Sequence, residues 1–539
     1  MNPPGRQQSV PIWLLMAALA LPALGLRAPL IEVDDARYAE VPRAMAAGGD
    51  WIEPRLNDMP YVEKPPLWYW LGAASIGVLG PDEGAARLPM FLLALLGAAG
   101  AWWLGSWLYS PRTASVAVLA MSTAGLWLFL THNLTLDLPV SVFLLWSTAL
   151  ILRVLEKPED APWAAPLAWV AAALAFLSKG LISVMFPALW TAALVVIFPR
   201  WRRPALKLLS PTGIAAFVIL SVPWLLAVQA RRADFLRTFF VEQHFQRYLT
   251  PRYGRGAPWW YYAAVLPAGL LPWTLPALAG LARALRHPFA DPRSTALAAW
   301  VLGVIAFFST SHSKLATYAL PVVPHAALLA AAALELDYPR WAKTASRALG
   351  AALLAALGAA LVFSGRLPLG EFRPLLGPAS LFIAGLALAQ LIAPSARAPA
   401  AVLGVGGVVA GCMAFAGLRL ASPQISAKEL ALAVRDLARP QDEVWTYDSY
   451  LHGLPFYSGR RVDKIVNFVG EFHYAKRESA HAQRFGDDTA VFSLPRAGGK
   501  TFVALKTRER AHFETLPAKG SIVSWRVFGP WSLAEIRAR

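Results

Sequence analysis

The sequence has little cysteine and little charge. A single cysteine, Cys412, stands among 539 residues, inside an apolar run. No disulfide framework and no cysteine-rich metal site can be built from it. Asp, Glu, Lys and Arg together make up 15% of the chain, against about a quarter in a soluble domain. With 57% hydrophobic residues and a mean hydropathy of +0.46, this excludes a soluble enzyme and a disordered chain. There is no internal repeat, and no low-complexity tract beyond an Ala/Leu bias. What is abundant is apolar and aromatic, including 22 Trp, together with 43 Pro. That composition belongs to a polytopic membrane protein. The formal net charge is +17, from 50 basic and 33 acidic residues. On a soluble chain this excess would suggest nucleic acid. On a membrane chain Lys and Arg collect in cytoplasmic loops.

A helix needs about 20 mostly apolar residues to cross the hydrocarbon core. Thirteen segments qualify, near 10–26, 82–107, 114–131, 134–153, 163–178, 180–198, 212–229, 259–283, 295–310, 315–334, 347–364, 375–393 and 399–421. The first follows a short leader with Arg6 and has no convincing small-x-small cleavage site before Arg27, so it reads as an uncleaved anchor. With the N-terminus inside, the loops after even-numbered spans hold Arg112; Arg153 and Lys157; Arg200, Arg202, Arg203 and Lys207; Arg283, Arg286 and Arg293; Arg340, Lys343 and Arg347; and Arg397. Every one is basic, which is the positive-inside pattern. The odd number of spans then puts the tail from about 422 outside.

The outer loops differ in kind. The first, 27–81, carries both signs of charge and a Trp-rich stretch, Pro65–Gly80, too short to span. It reads as a helix lying in the interface. The loop 230–258 is long, polar and aromatic, and long loops of this sort tend to be functional. In the tail, Ser426–Leu437 has helical apolar spacing, and Glu443–Tyr447, Thr501–Lys506 and Ser521–Phe528 read as strands. The expected organisation is a membrane domain over 1–421 and a small α/β periplasmic domain over 422–539.

On this topology the polar residues gather on one face. Asp34, Arg37, Tyr38, Glu63 and Lys64 sit in the first outer loop. His132 and Asp137 flank the outer start of the fourth span. Lys179 sits in Ser178-Lys179-Gly180. His244, Arg247, Arg252 and Tyr253 precede the eighth span, and His312, Lys314 and Tyr318 lie at the outer end of the tenth. Each has a plain structural explanation. Asp34 could cap a helix beginning near Ala36. Lys64 could snorkel to headgroups. Asp137 could pair with a basic neighbour to hold the bundle. The histidines could be satisfied interface residues, and the tyrosines part of an aromatic belt. These explanations leave out the coincidence of both charge signs on one side. The chemistry such a face suits is transfer from a lipid-borne phosphate. Cations bind the phosphate, and a carboxylate takes a proton or steadies positive charge on a sugar carbon. The sequence demands no cofactor. Glu63 and His244 are the pair able to share a divalent metal, on the weak signal of two ligands from separate loops.

The run Asp34-Asp-Ala-Arg-Tyr-Ala-Glu40, then Glu63-Lys-Pro-Pro66 with Trp68-Tyr-Trp70, resembles the first outer loop of the lipid-carrier-dependent glycosyltransferases of the GT-C class. Within them it is most similar to the bacterial aminoarabinose transferases that modify lipid A, relatives of protein O-mannosyltransferases. Leu134-Thr-Leu-Asp137, Ser178-Lys-Gly180, His244-Phe-Gln-Arg-Tyr248 and Ser311-His-Ser-Lys-Leu-Ala-Thr-Tyr318 extend the resemblance over about 1–330. The second proline and Trp-Tyr-Trp depart from the enterobacterial members and match wider members of the class. The resemblance implies a GT-C membrane fold of about 13 transmembrane helices. It also implies inverting, single-displacement transfer of a sugar from undecaprenyl phosphate, with lipid A or another envelope molecule as acceptor and no nucleic acid partner. It implies that Asp34 and Asp137 are the acidic residues of the catalytic centre. Lys64 matches a carrier-phosphate lysine, and Arg37, Tyr38, Lys179, Arg247, Arg252, Tyr253 and Tyr318 match groups around the carrier and substrate. Asp35, one residue along from Asp34, is expected to point elsewhere and to tolerate replacement.

Two other classes of function compete. A transporter or flippase would place polar groups near the midplane on broken helices. A transferase with a protein hydroxyl as acceptor would keep the chemistry but need a general base, because a hydroxyl, unlike a phosphate, is not ionised at neutral pH. Orientation is directly testable. In intact spheroplasts, a cysteine at Asp50 should react with a membrane-impermeant thiol reagent and one at Arg203 should not. Labelling at Arg203 would reverse the topology and move the polar face to the wrong compartment.

Overall fold

A computed structural model describes residues 10–250, 256–336, 338–364, 370–492, 499–516 and 520–538. Arg6, Arg252 and Tyr253 lie outside the described residues. The chain forms two compact units. The first comprises 1–25, 90–132 and 136–417, and the second 26–89, 133–135 and 418–539.

The first unit is helical. Among the described residues, eight helices are long and apolar enough to cross a bilayer, from Glu83–Leu108 to Pro399–Ile425. Two further pairs, Pro111–Thr123 with Gly125–His132 and Tyr261–Gly269 with Thr274–Arg286, bend by 61° and 119° at a short break. With the shorter apolar helices Ile12–Gly25, Ala164–Lys179 and Ile182–Ile197, these cover all thirteen expected segments. The two breaks support each other. Gly125 N–H donates to the Leu271 carbonyl at 3.2 Å, and the Trp273 indole donates to Thr123 at 2.8 Å. Non-helical backbone at membrane depth needs such partners, since lipid offers none. Helices Asp137–Glu156 and Ala316–Leu336 are almost wholly buried and form the centre, whereas Pro211–Arg231, Arg340–Val362 and Gly370–Ser395 turn most of their apolar surface outward. Thr148 and His325 Nε2, 3.0 Å apart, satisfy one another between the two central helices. Gly280 allows a close helix crossing: a Cβ there would lie 2.2 Å from the Leu329 carbonyl oxygen.

In the second unit, strands β1 (Arg55–Leu56) and β2 (Met59–Pro60) make a small hairpin. Strands β3 (Glu443–Tyr447), β4 (Lys464–Val466), β5 (Phe485–Gly486), β6 (Thr501–Lys506), β7 (Gly520–Phe528) and β8 (Trp531–Ala538) form one sheet in the order β5-β4-β3-β6-β8-β7. β5, β4, β3 and β6 run parallel, and β8 and β7 close the edge antiparallel. The sheet buries Trp445, Tyr447, Val503, Leu505 and Ile536 with Phe513 beside them. Lys428–Leu437 supplies Leu430, Ala431 and Val434 on the helical spacing that the sequence showed. The three strands expected from sequence are present. β4 and β5 are too short for an alternation to register, and β8 follows β7 as a hairpin partner.

The same unit contains residues 26–89. Leu67–Leu79 is a helix of 13 residues, about 20 Å long and so well short of the core thickness. It buries Trp68, Tyr69, Gly72 and Ile76 and leaves Val78 and Leu79 exposed. The Trp68 indole donates to the Tyr38 carbonyl at 2.8 Å, which ties this helix to the helix Asp34–Gly48.

The expectation for Asp35 is corrected here. Its side chain is buried and paired with Arg87, itself 1% exposed. Its oxygens also accept the backbone N–H groups of Ile31 and Leu134, each at 2.9 Å. Arg87 in turn donates to the Leu26, Ala28 and Pro29 carbonyls. Asp34 and Asp35 both lie in the first turn of a helix, where both favour the dipole, and the sequence alone does not show which of the two faces the interior. Breaking a buried pair by removing one charge costs about 3–5 kcal/mol, because the other charge stays buried. Asp35→Asn should therefore lower the melting temperature sharply and reduce the yield of folded protein. Unchanged melting would mean that Arg87 finds other compensation.

Candidate active site

The second unit holds the first group of polar residues. Asp34 is the first residue of its helix, and its carboxylate bonds to the Arg37 guanidinium one turn on. No side chain caps this helix: the residue before it is Val33, and Asp34 is already helical. The capping explanation for Asp34 therefore lacks its hydrogen bond. The Asp34 side chain is 49% exposed and Arg37 12%, so the carboxylate faces outward from a buried cation. Arg37 sits against the rings of Tyr38 and Tyr61, at 5.2 and 6.0 Å from the ring centres, and its Nη1 lies 3.8 Å from Glu471. Burial works against the Arg37 charge, but Tyr61, Tyr38, Asp34 and Glu471 together hold its pKa well above the ordinary arginine value. Burial likewise pushes the Tyr61 hydroxyl well above the usual phenol value, so it stays a neutral donor.

Tyr38 is a core residue. Its ring stacks on Tyr69 with centres 6.3 Å apart, and it is 6% exposed. Arg37 has one terminal nitrogen on Asp34 and the other near Glu471, so its charge is largely committed within the protein. Glu63 and Lys64 are half-buried in the stretch just before the helix Leu67–Leu79. The Pro65-Pro66 that follows keeps this stretch out of helical geometry until Leu67.

The first unit holds a second group. Asp137 opens the helix Asp137–Glu156, and Lys179 is the last residue of Ala164–Lys179. Each charge suits its own helix end, and the two side chains form an ion pair. The partner that the bundle-holding explanation of Asp137 required is thus present. Lys179 also lies over the Tyr318 ring at 4.6 Å, a cation–π contact.

Gly180 explains the Ser-Lys-Gly motif. Its φ is +89°, and a Cβ would lie 2.3 Å from His244 Nε2. The same nitrogen accepts the Leu181 N–H at 3.3 Å, while His244 Nδ1 donates to the Phe239 carbonyl at 2.6 Å. His244 is therefore packed beside Lys179 in the chain turn. To bind a metal, its Nε2 would have to release Leu181. Among the described residues, no group of three or more His, Cys, Asp or Glu could hold a metal ion.

His244 and Arg247 come from an unusual segment, Arg237–Gln246, wound as a π-helix. Such windings mark functional sites more often than plain connectors. Arg247 is half-buried, 3.3 Å from Gln243. The Tyr248 carbonyl accepts the His312 N–H at 3.0 Å, and the Tyr262 hydroxyl donates to the Leu315 carbonyl at 3.0 Å. These bonds seat the loop that carries Tyr318. His312 itself is exposed. Lys314 is 8% exposed, with its ammonium on the Ser311 carbonyl. Sequence reasoning also missed Glu471, His452 and Glu32, which no motif singled out.

With the geometry in hand, the similarities to known proteins are informative. Residues 63–226 match the family model for dolichyl-phosphate-mannose-protein mannosyltransferase. An undecaprenyl phosphate-alpha-4-amino-4-deoxy-L-arabinose arabinosyl transferase of Pectobacterium carotovorum subsp. carotovorum is 30% identical over 93% of this chain and 92% of its own. The protein of that name from Pectobacterium atrosepticum is 30% identical over 96% of both. The fold superposes on crystal structures of ArnT from Cupriavidus metallidurans. The undecaprenyl phosphate complex gives a TM-score of 0.84 at 24% identity and the apo state 0.82 at 25%, each over 97% of both chains. The archaeal oligosaccharyltransferase AglB from Archaeoglobus fulgidus aligns at a TM-score of 0.51 and 11% identity, covering 94% of this chain and 71% of its own. The GT-C fold expected from the motifs is the fold observed. The chain is a polyprenyl-phosphate-sugar-dependent glycosyltransferase, and it belongs to the family of undecaprenyl phosphate-aminoarabinose arabinosyl transferases.

Proposed function

We propose that this protein transfers 4-amino-4-deoxy-L-arabinose from undecaprenyl phosphate to a phosphate of lipid A, on the periplasmic side of the bacterial cytoplasmic membrane. The observation that carries this reading is the full-length similarity to transferases named for that donor. The positive-inside pattern supports the compartment, since it leaves 27–81 and the tail outside. The transporter reading has no comparable support.

The acceptor explains why one carboxylate suffices. A phosphate oxygen is already ionised at neutral pH and can attack the anomeric carbon without giving up a proton. Its electron pair forms the new C–O bond. The bond from the anomeric carbon to the carrier oxygen breaks, and undecaprenyl phosphate leaves with those electrons. The configuration inverts in a single displacement. Positive charge builds on the sugar as the old bond lengthens, and an outward carboxylate such as Asp34 stabilises it. Arg37 fixes that carboxylate at the start of its helix. Lys64 supplies a cationic contact to the carrier phosphate. Asp137, neutralised by Lys179, is assigned to placing Lys179 and Tyr318 for the substrate rather than to proton transfer.

Two variants test this. Asp34→Asn keeps the shape and removes the charge, so transfer of radiolabelled sugar from purified carrier lipid should fall about a hundredfold or more, with little change in melting temperature. Lys64→Ala removes a charged hydrogen bond worth about 1.5–3 kcal/mol and should cost at least about ten- to a hundredfold. Normal turnover by Asp34→Asn would take Asp34 out of the reaction. Normal turnover by Lys64→Ala would return that lysine to a headgroup contact.

A further inference from the structure

The tail contributes a buried chain of charged groups that the transfer chemistry does not use directly. His452 is completely buried. Its Nε2 bonds to the Glu471 carboxylate, and its Nδ1 lies 3.5 Å from Glu32 Oε2. Glu32 also accepts the backbone N–H groups of His452 and Gly453, at 2.9 and 2.7 Å. Glu471 then reaches Arg37, and Arg37 reaches Asp34. The Tyr450 ring packs edge-on against His452 at 4.9 Å. The run Glu32–His452–Glu471–Arg37–Asp34 is continuous within the second unit. It joins the segments 26–89 and 418–539 of this unit.

We propose that Glu471 and His452 are positioning residues for the transfer reaction, acting through Arg37 on the Asp34 carboxylate. The proposal rests on the assignment of Asp34 as the reacting carboxylate. The physical argument is a division of charge. Arg37 carries one positive charge and faces two carboxylates, one through each terminal nitrogen. A guanidinium shared between two acids neutralises neither fully. If Glu471 loses its charge, all of the Arg37 attraction falls on Asp34, which becomes less able to stabilise positive charge on the sugar. If Glu471 is present but unanchored, Arg37 loses its fixed orientation. His452 and Glu32 provide that anchor, since His452 bonds to Glu471 through Nε2 and to Glu32 through its backbone N–H. A buried polar network of this kind is costly unless every member is satisfied, so a purely structural role would be met more cheaply by apolar packing.

The test uses the full-length enzyme in detergent, with purified undecaprenyl-phosphate sugar as donor. Glu471→Gln should lower kcat about tenfold, with KM for the donor and melting temperature nearly unchanged. Glu471→Asp should recover part of the loss, and His452→Gln should act in the same direction. Placed in the Asp34→Asn background, Glu471→Gln should cause no further loss, because its route to the reaction is already cut. Three results would overturn the proposal: normal kcat in Glu471→Gln, losses that add fully to those of Asp34→Asn, or losses that follow the melting temperature with no recovery in Glu471→Asp. Normal activity in Asp34→Asn would defeat the Asp34 assignment first. Low activity in Asp34→Asn with a normal Glu471→Gln would defeat this proposal alone.

Discussion

The arrangement of the second unit depends on the pair formed by Asp35 and Arg87. Both are buried. Between them they hold three carbonyls from 26–29 and two backbone N–H groups, those of Ile31 and Leu134. Charges of this kind are stable in an interior only when the remaining donors and acceptors are satisfied, and here they are. The result is a fixed start for the helix Asp34–Gly48. One residue before the buried acid, the helix presents an exposed one. Two adjacent carboxylates thus take different work: Asp35 holds the backbone, and Asp34 is left available at the surface with Arg37 beneath it.

The first unit solves a related problem by another route. Asp137 and Lys179 neutralise each other at the ends of two helices whose dipoles favour their charges. Gly180, held at positive φ with His244 against it, lets the chain turn immediately after Lys179. Tyr318 lies under the ammonium on a loop seated by hydrogen bonds from Tyr248 and Tyr262. Broken helices lie in the same unit, joined by the Gly125 N–H to the Leu271 carbonyl and by the Trp273 indole to the Thr123 hydroxyl.

The membrane architecture was legible from sequence because span length and loop charge are strong, local signals; every expected segment from 10–26 to 399–421 has a helix. The helix at 67–79, too short to span, was legible for the same reason. The roles of neighbouring residues were not. Nothing in Asp34-Asp35 tells which carboxylate faces Arg87, a partner 52 residues away. The sequence also does not show that the Tyr38 ring is buried and stacked on Tyr69. Glu471 and His452 carry no motif, and their link to Arg37 exists only because the tail and the first outer loop fold as one unit. The short strands β4 and β5 escaped because two or three residues cannot show an alternation.

The central claim is that a polyprenyl-phosphate sugar, and no nucleotide-activated one, is consumed to modify a lipid phosphate. The most direct measurement is mass spectrometry of lipid A after incubation with the purified enzyme and undecaprenyl-phosphate-linked 4-amino-4-deoxy-L-arabinose. The account predicts lipid A heavier by one aminopentose on a phosphate, with stoichiometric release of undecaprenyl phosphate. Unmodified lipid A, with the sugar instead found on another acceptor or supplied equally well by a nucleotide-sugar, would contradict it.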